Sequence, residues 1–253
     1  MFDRKKYKSF ARIQLKKRRT VPVLMTLVTA LIVLLLSLPS IKTSIAIYTE
    51  ILQAALASTN QDEILRIIQK YRKTAPLESF LSWIVFFVTA ICTIAQYCVY
   101  LKMSRSPEPV SFGDFFTGFA HWLRAIGAAL WRRLWTYLWT FVFFIPGIVK
   151  AIAYSQTDYI VAEFPHVPVT QALDISKKIT RGYKADLFVL HLSFFGWYLL
   201  CVLTFGVASL WVVPYQMMTY INAYHALMKR ALETGVVTLE DIGDSNGERY
   251  GKQ

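Results

Sequence analysis

The chain alternates long uncharged apolar runs with short clusters of basic residues. From Leu187 to Met228, 42 consecutive positions carry no Asp, Glu, Lys or Arg. A bilayer-spanning helix takes ~20 apolar residues, so this run predicts two limbs and the turn between them. Thr20–Ile41 and Ser79–Leu101, uncharged over 22 and 23 residues, predict one helix each. Lipid offers backbone polar groups no partners, which selects helices. The predicted fold is an all-α polytopic transmembrane helix bundle.

The first predicted span is Val21–Leu38. Its apolar core exceeds the ~7–15 residues of a secretion signal, so it reads as a retained signal anchor. Residues 41–76 form an external loop. Within it, Asn60 and Glu63 resemble a capping box, with Ile64, Ile67, Ile68 and Tyr71 at helical spacing behind them. An earlier stripe of Tyr48, Ile51, Leu52 and Ala55 predicts a helix continuing from the first span. Leu77–Leu101 returns the chain to the side marked by Lys102 and Arg105.

The middle is less regular. Aromatic-rich Ser111–Leu130 suits an interfacial helix. Leu134–Ile145 then offers only 12 uncharged residues before Pro146. As helix these cover ~18 Å, short of the ~30 Å hydrocarbon core. Either the helix begins earlier, with Arg132 and Arg133 snorkelling, or the segment is re-entrant. Pro146-Gly147 is a strong turn signal and is read as the outer turn of a hairpin whose second limb is Ile148–Phe164. Val169–Arg181 reads as an amphipathic helix ended by Gly182, with Val169, Ala172, Ile175 and Ile179 toward the membrane. A second hairpin, Leu187–Phe205 and Val207–Met228, turns at Gly206. The organisation is thus a basic segment 1–20, a bundle 21–230 and a polar tail 231–253. It has six spans, two of the hairpins C-terminal and both termini cytoplasmic. The rival is five spans with an external carboxyl terminus.

Charge fixes the orientation. The net charge is +12, and nine of the first nineteen residues are Lys or Arg, with Asp3 the one acid among them. Cations flanking a first span mark its cytoplasmic end. Lys5, Lys8, Arg12, Lys16 and Arg19 recur at steps of three and four, with Tyr7, Phe10 and Ile13 as a separate apolar stripe. Such a helix rests on anionic inner-leaflet lipids or serves as a solvated anchor. Nucleic acid is excluded as a partner by the placement of the charge. The expected partners are the bilayer itself, anionic inner-leaflet lipids at the basic N-terminus, and a membrane protein or a second copy of the chain.

Polar residues inside apolar runs carry the candidate chemistry, because burying charge in a bilayer is costly. Lys150, Tyr154 and Asp158 stand at i, i+4 and i+8. Arg132 and Arg133 precede the third span, and His191 and Gln216 lie in the last hairpin. Thr89, Thr93, Gln96 and Tyr100 stripe the second span. Together they form either a polar pathway in which Asp158 pairs with Arg132, Arg133 or Lys150, or interhelical hydrogen bonds. A nine-residue likeness between the stretches from Tyr154 and from Tyr215 suggests an internal repeat. Tryptophans at 122, 131, 135, 139, 197 and 211 read as an interfacial belt. No zinc-protease, nucleophile-elbow or phosphate-loop motif occurs, and Cys92, Cys98 and Cys201 lie in apolar context. No enzyme, metal or cofactor is expected.

The segments LWTYLWTFVFFIPGIVKAI from Leu134, YSQTDYIVAE from Tyr154, ALDISKKITRGYKADLFVLHLSFFGW from Ala172 and LTFGVASLWVVPY from Leu203 resemble the bacterial membrane family known as domain of unknown function 975. The likeness covers about residues 110–230. It implies a multi-span protein of the cytoplasmic membrane with no assigned activity, and supplies no catalytic residues. Relatives carry a longer apolar run before the Pro-Gly, whereas this chain has Arg132 and Arg133 there. The expected role is a non-enzymatic accessory or regulatory component of the bacterial envelope or an export system. The alternative is a carrier or channel for a small polar solute, peptide or lipid through the seam around Asp158.

Overall fold

A computed structural model describes residues 2–56, 61–72, 75–142 and 144–243. Among them every regular element is helical: α1 Arg4–Leu15, α2 Thr20–Leu56, α3 Gln61–Arg72, α4 Ala75–Arg105, α5 Gly113–Thr117, a 3-10 turn Gly118–His121, α6 Trp122–Val142, α7 Phe144–Ala153, α8 Thr157–Glu163, α9 Val169–Thr180, α10 Lys184–Leu192, α11 Phe195–Leu203 and α12 Ser209–Glu233. Three stretches are long and apolar enough to cross a membrane: Thr20–Leu56, Pro76–Arg105 and Lys184–Leu203. Of the other predicted spans, Val207–Met228 lies from Ser209 onward within the continuous helix α12, whereas the limb Ile148–Phe164 is broken between α7 and α8. The chain divides into two compact units, residues 28–89 and residues 1–27 with 90–253.

In the first unit, helix α2 runs on to Leu56 through Pro39, so residues 41–56 continue the first span instead of forming a loop. Its leucines and isoleucines from Leu31 to Ile45 are largely exposed, as suits a helix whose solvent is hydrocarbon. Lys70 of α3 meets Glu50 at 2.7 Å, and the Tyr71 hydroxyl donates to the same carboxylate at 2.8 Å. Asn60 lies outside the described residues, as do the side chains of Glu63, Ile64 and Ile68.

In the second unit, α8 forms the centre, with six of its seven residues buried. Such a short helix stands only through its packing. Tyr100 and Met103 of α4, Ile175 and Ile179 of α9, and Met218, Ile221 and Tyr224 of α12 complete this core. The face of α9 expected to meet lipid is thus turned inward. Its polar residues explain why. The chain breaks between α7 and α8, and Ser176 Oγ donates to Ala153 O at 2.7 Å while accepting from Gln156 N at 3.2 Å. Thr180 Oγ1 reaches the same carbonyl at 3.4 Å. Freed backbone groups need polar partners, and lipid has none.

The basic helix α1 is docked on the protein. Tyr7, Ala11 and Leu15 are buried, whereas Phe10 and Ile13 of the expected stripe are exposed. Asn222 Nδ2 of α12 donates to Gln14 Oε1 at 2.9 Å and to Tyr7 O at 3.4 Å. Gln14 donates in turn to Ser104 O at 3.2 Å, and Lys8 Nζ donates to Ser193 O at 3.3 Å.

Two helical hairpins follow. In the first, Pro146 and Gly147 lie inside the opening turns of α7 and not at the turn between α6 and α7. Proline is tolerated there because the first N–H groups of a helix have no intrahelical partner. Gly147 serves close approach: a Cβ would fall 2.4 Å from Thr140 Oγ1 and 2.7 Å from Thr140 Cα. The second hairpin turns at Gly206, which has φ +88°, and Gly182 has φ +87° just past α9. Both hairpin tips are bare and apolar, Phe141 being 94% and Phe205 99% exposed.

Candidate functional site

Arg132 and Asp158 come together. Arg132 Nη2 of α6 lies 3.0 Å from Asp158 Oδ2 of α8, and the Asp158 side chain is only 8% exposed. The ring of Tyr159 packs on Tyr97 at 4.5 Å between centroids and on Tyr224 at 5.5 Å, forming an aromatic layer through this core. Asp158 Oδ1 and the neighbouring Thr157 Oγ1 and Gln156 Oε1 are buried without hydrogen-bond partners.

The rest of the predicted seam disperses into other clusters. Lys150, Tyr154 and Asp158 do not share a helix face, because residues 154–156 form the turn between α7 and α8. Lys150 Nζ stands 4.3 Å above the Trp139 ring. Tyr154 is buried with Ala153 and Leu173, flanked by Trp131 and Trp135. Arg133 is exposed beside Arg132. His191 packs at a tilt on Tyr220, 4.4 Å between centroids, and Gln216 Nε2 donates to the hydroxyls of Tyr220, at 2.9 Å, and of Tyr198. Of the α4 stripe, Gln96 and Tyr100 are buried and Thr89 is exposed. The repeat has no structural counterpart: the Tyr154 stretch breaks, while the Tyr215 stretch lies within uninterrupted α12.

A second buried carboxylate escapes sequence reasoning. Glu163, 1% exposed at its side chain, pairs with Arg105 and accepts from the Tyr224 hydroxyl. Beside it His225 Nε2 is 2.8 Å from Ser104 Oγ. The partners lie 58 and 61 positions away in sequence, so no local spacing announces them. The one available signal is the pair of acids five residues apart within an otherwise apolar stretch.

Electrostatics at the rim follow contacts. Lys102 at 2.7 Å, helped by the Ser111 N–H, holds the Asp114 carboxyl below its usual range. Burial, with Arg12 and Arg4 nearby, lowers the Lys8 ammonium. The Asp241 carboxyl is held down chiefly by the Thr238 N–H at 3.0 Å and also by Lys178.

Among the described residues no group of three His, Cys, Asp or Glu side chains is arranged to hold a metal. The arrangement is a set of ion pairs, packed tyrosines and hydroxyl-to-carbonyl bonds, which can fix helices against one another. No curated protein and no solved structure matches the chain. Residues 134–231, from α6 through the core of α12, match the family described as a protein of unknown function, DUF975, the family the sequence resembles.

Proposed function

We propose that the protein is a non-enzymatic membrane component, an accessory or regulatory subunit serving the bacterial cell envelope or an export system. One observation carries this reading: Asp158, the most costly polar residue of the seam, is engaged with Arg132 among packed tyrosines. A charge so held ties α6 to α8 and is not free to bind a passing solute.

The membrane arrangement we propose keeps both termini cytoplasmic. Helices α2 and α4 cross, and two hairpins enter from the cytoplasmic side and return to it. Six complete crossings ask too much of those hairpins. Between Arg133 and Lys150 only residues 134–149 are uncharged, counting both limbs; each limb is ~12 Å of helix against ~30 Å of hydrocarbon. In the second hairpin, Lys8 sits at Ser193 and Arg12 over Tyr215, at 5.5 Å. Limb α11 beyond those cations is nine residues, or ~14 Å. Both hairpins therefore reach about mid-bilayer. Cysteine placed at Phe141 or Phe205, with the native cysteines replaced, tests this. Labelling by an impermeant reagent added outside establishes full crossings; silence from outside, with a cysteine at the exposed position 181 labelled from inside, supports half-depth hairpins.

A carrier is the second reading, favoured by the unpartnered Asp158 Oδ1 and Thr157 Oγ1. Asp158→Asn separates the two. A carrier variant loses flux in proteoliposomes while staying folded; the proposed component loses stability, and its proteoliposomes never exceed empty ones in flux.

A further inference from the structure

The basic helix α1, the start of α2 and the second hairpin line an open cavity of about 290 Å³. Its two walls differ in chemistry. Arg12 and Arg19 stand on one side, while Trp197, Trp211 and Val212 line the other, with Tyr215 between them. The Arg12 guanidinium lies over the Tyr215 ring at 5.5 Å, which holds it toward the cavity instead of extended into water. Trp197 packs edge-on against the same ring at 6.0 Å. The Tyr215 hydroxyl is buried without a hydrogen-bond partner in the protein. From the cavity wall at Trp211, 56% exposed, the apolar surface continues over Val207, 58% exposed, toward the tip at Phe205.

Charge complementarity selects the occupant. Two guanidiniums at one end call for a phosphate, which arginine binds through paired N–H donors. Tryptophan and valine at the other end call for hydrocarbon. The volume sits at the lower end of ligand cavities, ~300–1,000 Å³. It suits the phosphate, glycerol and first methylenes of one molecule whose remaining chain lies against the hairpin surface. Basic pockets at the cytoplasmic face of membrane helices are a recurrent means of holding anionic lipid. We propose that this cavity binds one anionic phospholipid of the cytoplasmic leaflet, its phosphate on Arg12 and Arg19 and its acyl chain along Trp197 and Trp211. This rests on the reading that α1 lies at the cytoplasmic membrane surface. The bound lipid then joins α1 to the α11–α12 hairpin, so the lipid composition of the leaflet sets how firmly the hairpin is anchored.

Native mass spectrometry of the full chain released from nanodiscs tests the site. In phosphatidylglycerol nanodiscs the protein should retain one lipid that it does not retain from phosphatidylcholine. Arg12→Gln with Arg19→Gln should weaken retention about ten-fold or more, whereas Arg4→Gln with Lys5→Gln, an equal charge loss at the start of the basic segment, should change it less than about two-fold. Should the arginine pair prevent folding, Trp211→Ala, at an exposed position, should still loosen the acyl chain and lower retention. Equal losses in the two charge variants would overturn the site in favour of diffuse attraction. Displacement by excess inorganic phosphate would overturn lipid in favour of a soluble anion. Absence of selective retention by a chain that fractionates with membranes would sink the cavity proposal alone. A chain found in the soluble fraction would sink the membrane reading with it.

Discussion

Arg132 and Asp158, 26 residues apart in sequence, meet at 3.0 Å and join α6 to the buried helix α8. Removing one partner of a buried pair costs ~3–5 kcal/mol. Arg132 remains one-third exposed, so water screens the interaction. We expect Asp158→Asn and Arg132→Gln each to lower stability by about 2 kcal/mol. The double variant should cost little more than either alone, because the second change removes a charge already unpaired. Unfolding midpoints of the four proteins in one detergent measure the coupling, and simple additivity would show that the contact contributes nothing.

Glu163 makes the more enclosed ion pair, and its tyrosine gives a gentler probe. Tyr224→Phe keeps the ring contact with Tyr159 and removes only the hydroxyl that donates to Glu163. A hydrogen bond to a charged group contributes ~1.5–3 kcal/mol. The expected loss is near the lower figure, because Arg105 still faces the carboxylate. Glu163→Gln should cost more, since it strands the Arg105 guanidinium beside an uncharged amide. The reverse order of melting temperatures would refute this account.

Periodicity and charge show the helical class and the basic N-terminal segment because both act locally. A run such as Ser79–Leu101 has the same meaning wherever it packs. The inward face of α9 was not legible, because Ala172 and Ile175 look alike whether lipid or protein covers them; Ser176, bonded to the broken backbone at Ala153, decides it. The Lys150, Tyr154 and Asp158 series fails for a related reason. Its i, i+4 spacing assumes an unbroken helix, and the turn at 154–156 rotates Asp158 away toward Arg132. Pro146-Gly147 misleads as a turn signal, since proline is equally at home in a helix's opening turn and glycine in a close crossing.

That crossing gives a sharp test. Gly147→Ala gains up to ~1 kcal/mol of helix propensity. The added methyl must, however, occupy space 2.7 Å from Thr140 Cα, a backbone atom that cannot swing aside. Overpacking of this kind costs ~1–3 kcal/mol, so the net effect should be destabilising. Combining it with Thr140→Ala removes the Oγ1 clash but not the Cα clash, and should rescue the variant only in part. Full rescue in a thermal melt would mean the backbones are not so close.

Docking of α1 has a proteolytic signature. Nine Lys and Arg residues precede position 20, so an undocked segment would be cut rapidly by trypsin. Asn222 holds the helix from inside, at 8% exposure, through Gln14 and the Tyr7 carbonyl. Asn222→Ala removes both bonds and takes the donor from the Gln14 amide oxygen, at ~1–3 kcal/mol. Cleavage within residues 4–19 should accelerate markedly while the rest of the chain stays intact. An unchanged cleavage rate would place the docking energy in Tyr7, Ala11 and Leu15 alone.

The segment after α12 should respond to acid in a defined direction. Asp241 Oδ2 accepts from Thr238 N at 3.0 Å and faces Lys178 at 3.7 Å. Gln171 Nε2 donates to the Asp241 carbonyl at 2.8 Å, and Val237 and Ile242 are buried on either side. Because the folded carboxyl is held below its usual value, it binds its proton more readily once the segment detaches. Its stabilising contribution is therefore fully present above the unfolded value of ~3.9 and is lost as pH falls through the lower folded value. Residues 237–243 should gain amide exchange below about pH 4, ahead of the α8 core. Asp241→Asn keeps an acceptor for Thr238 without the titrating charge, so exchange in this segment should become independent of pH over that window after correction for the intrinsic rate. Persistence of the acid step in that variant would assign it to another group.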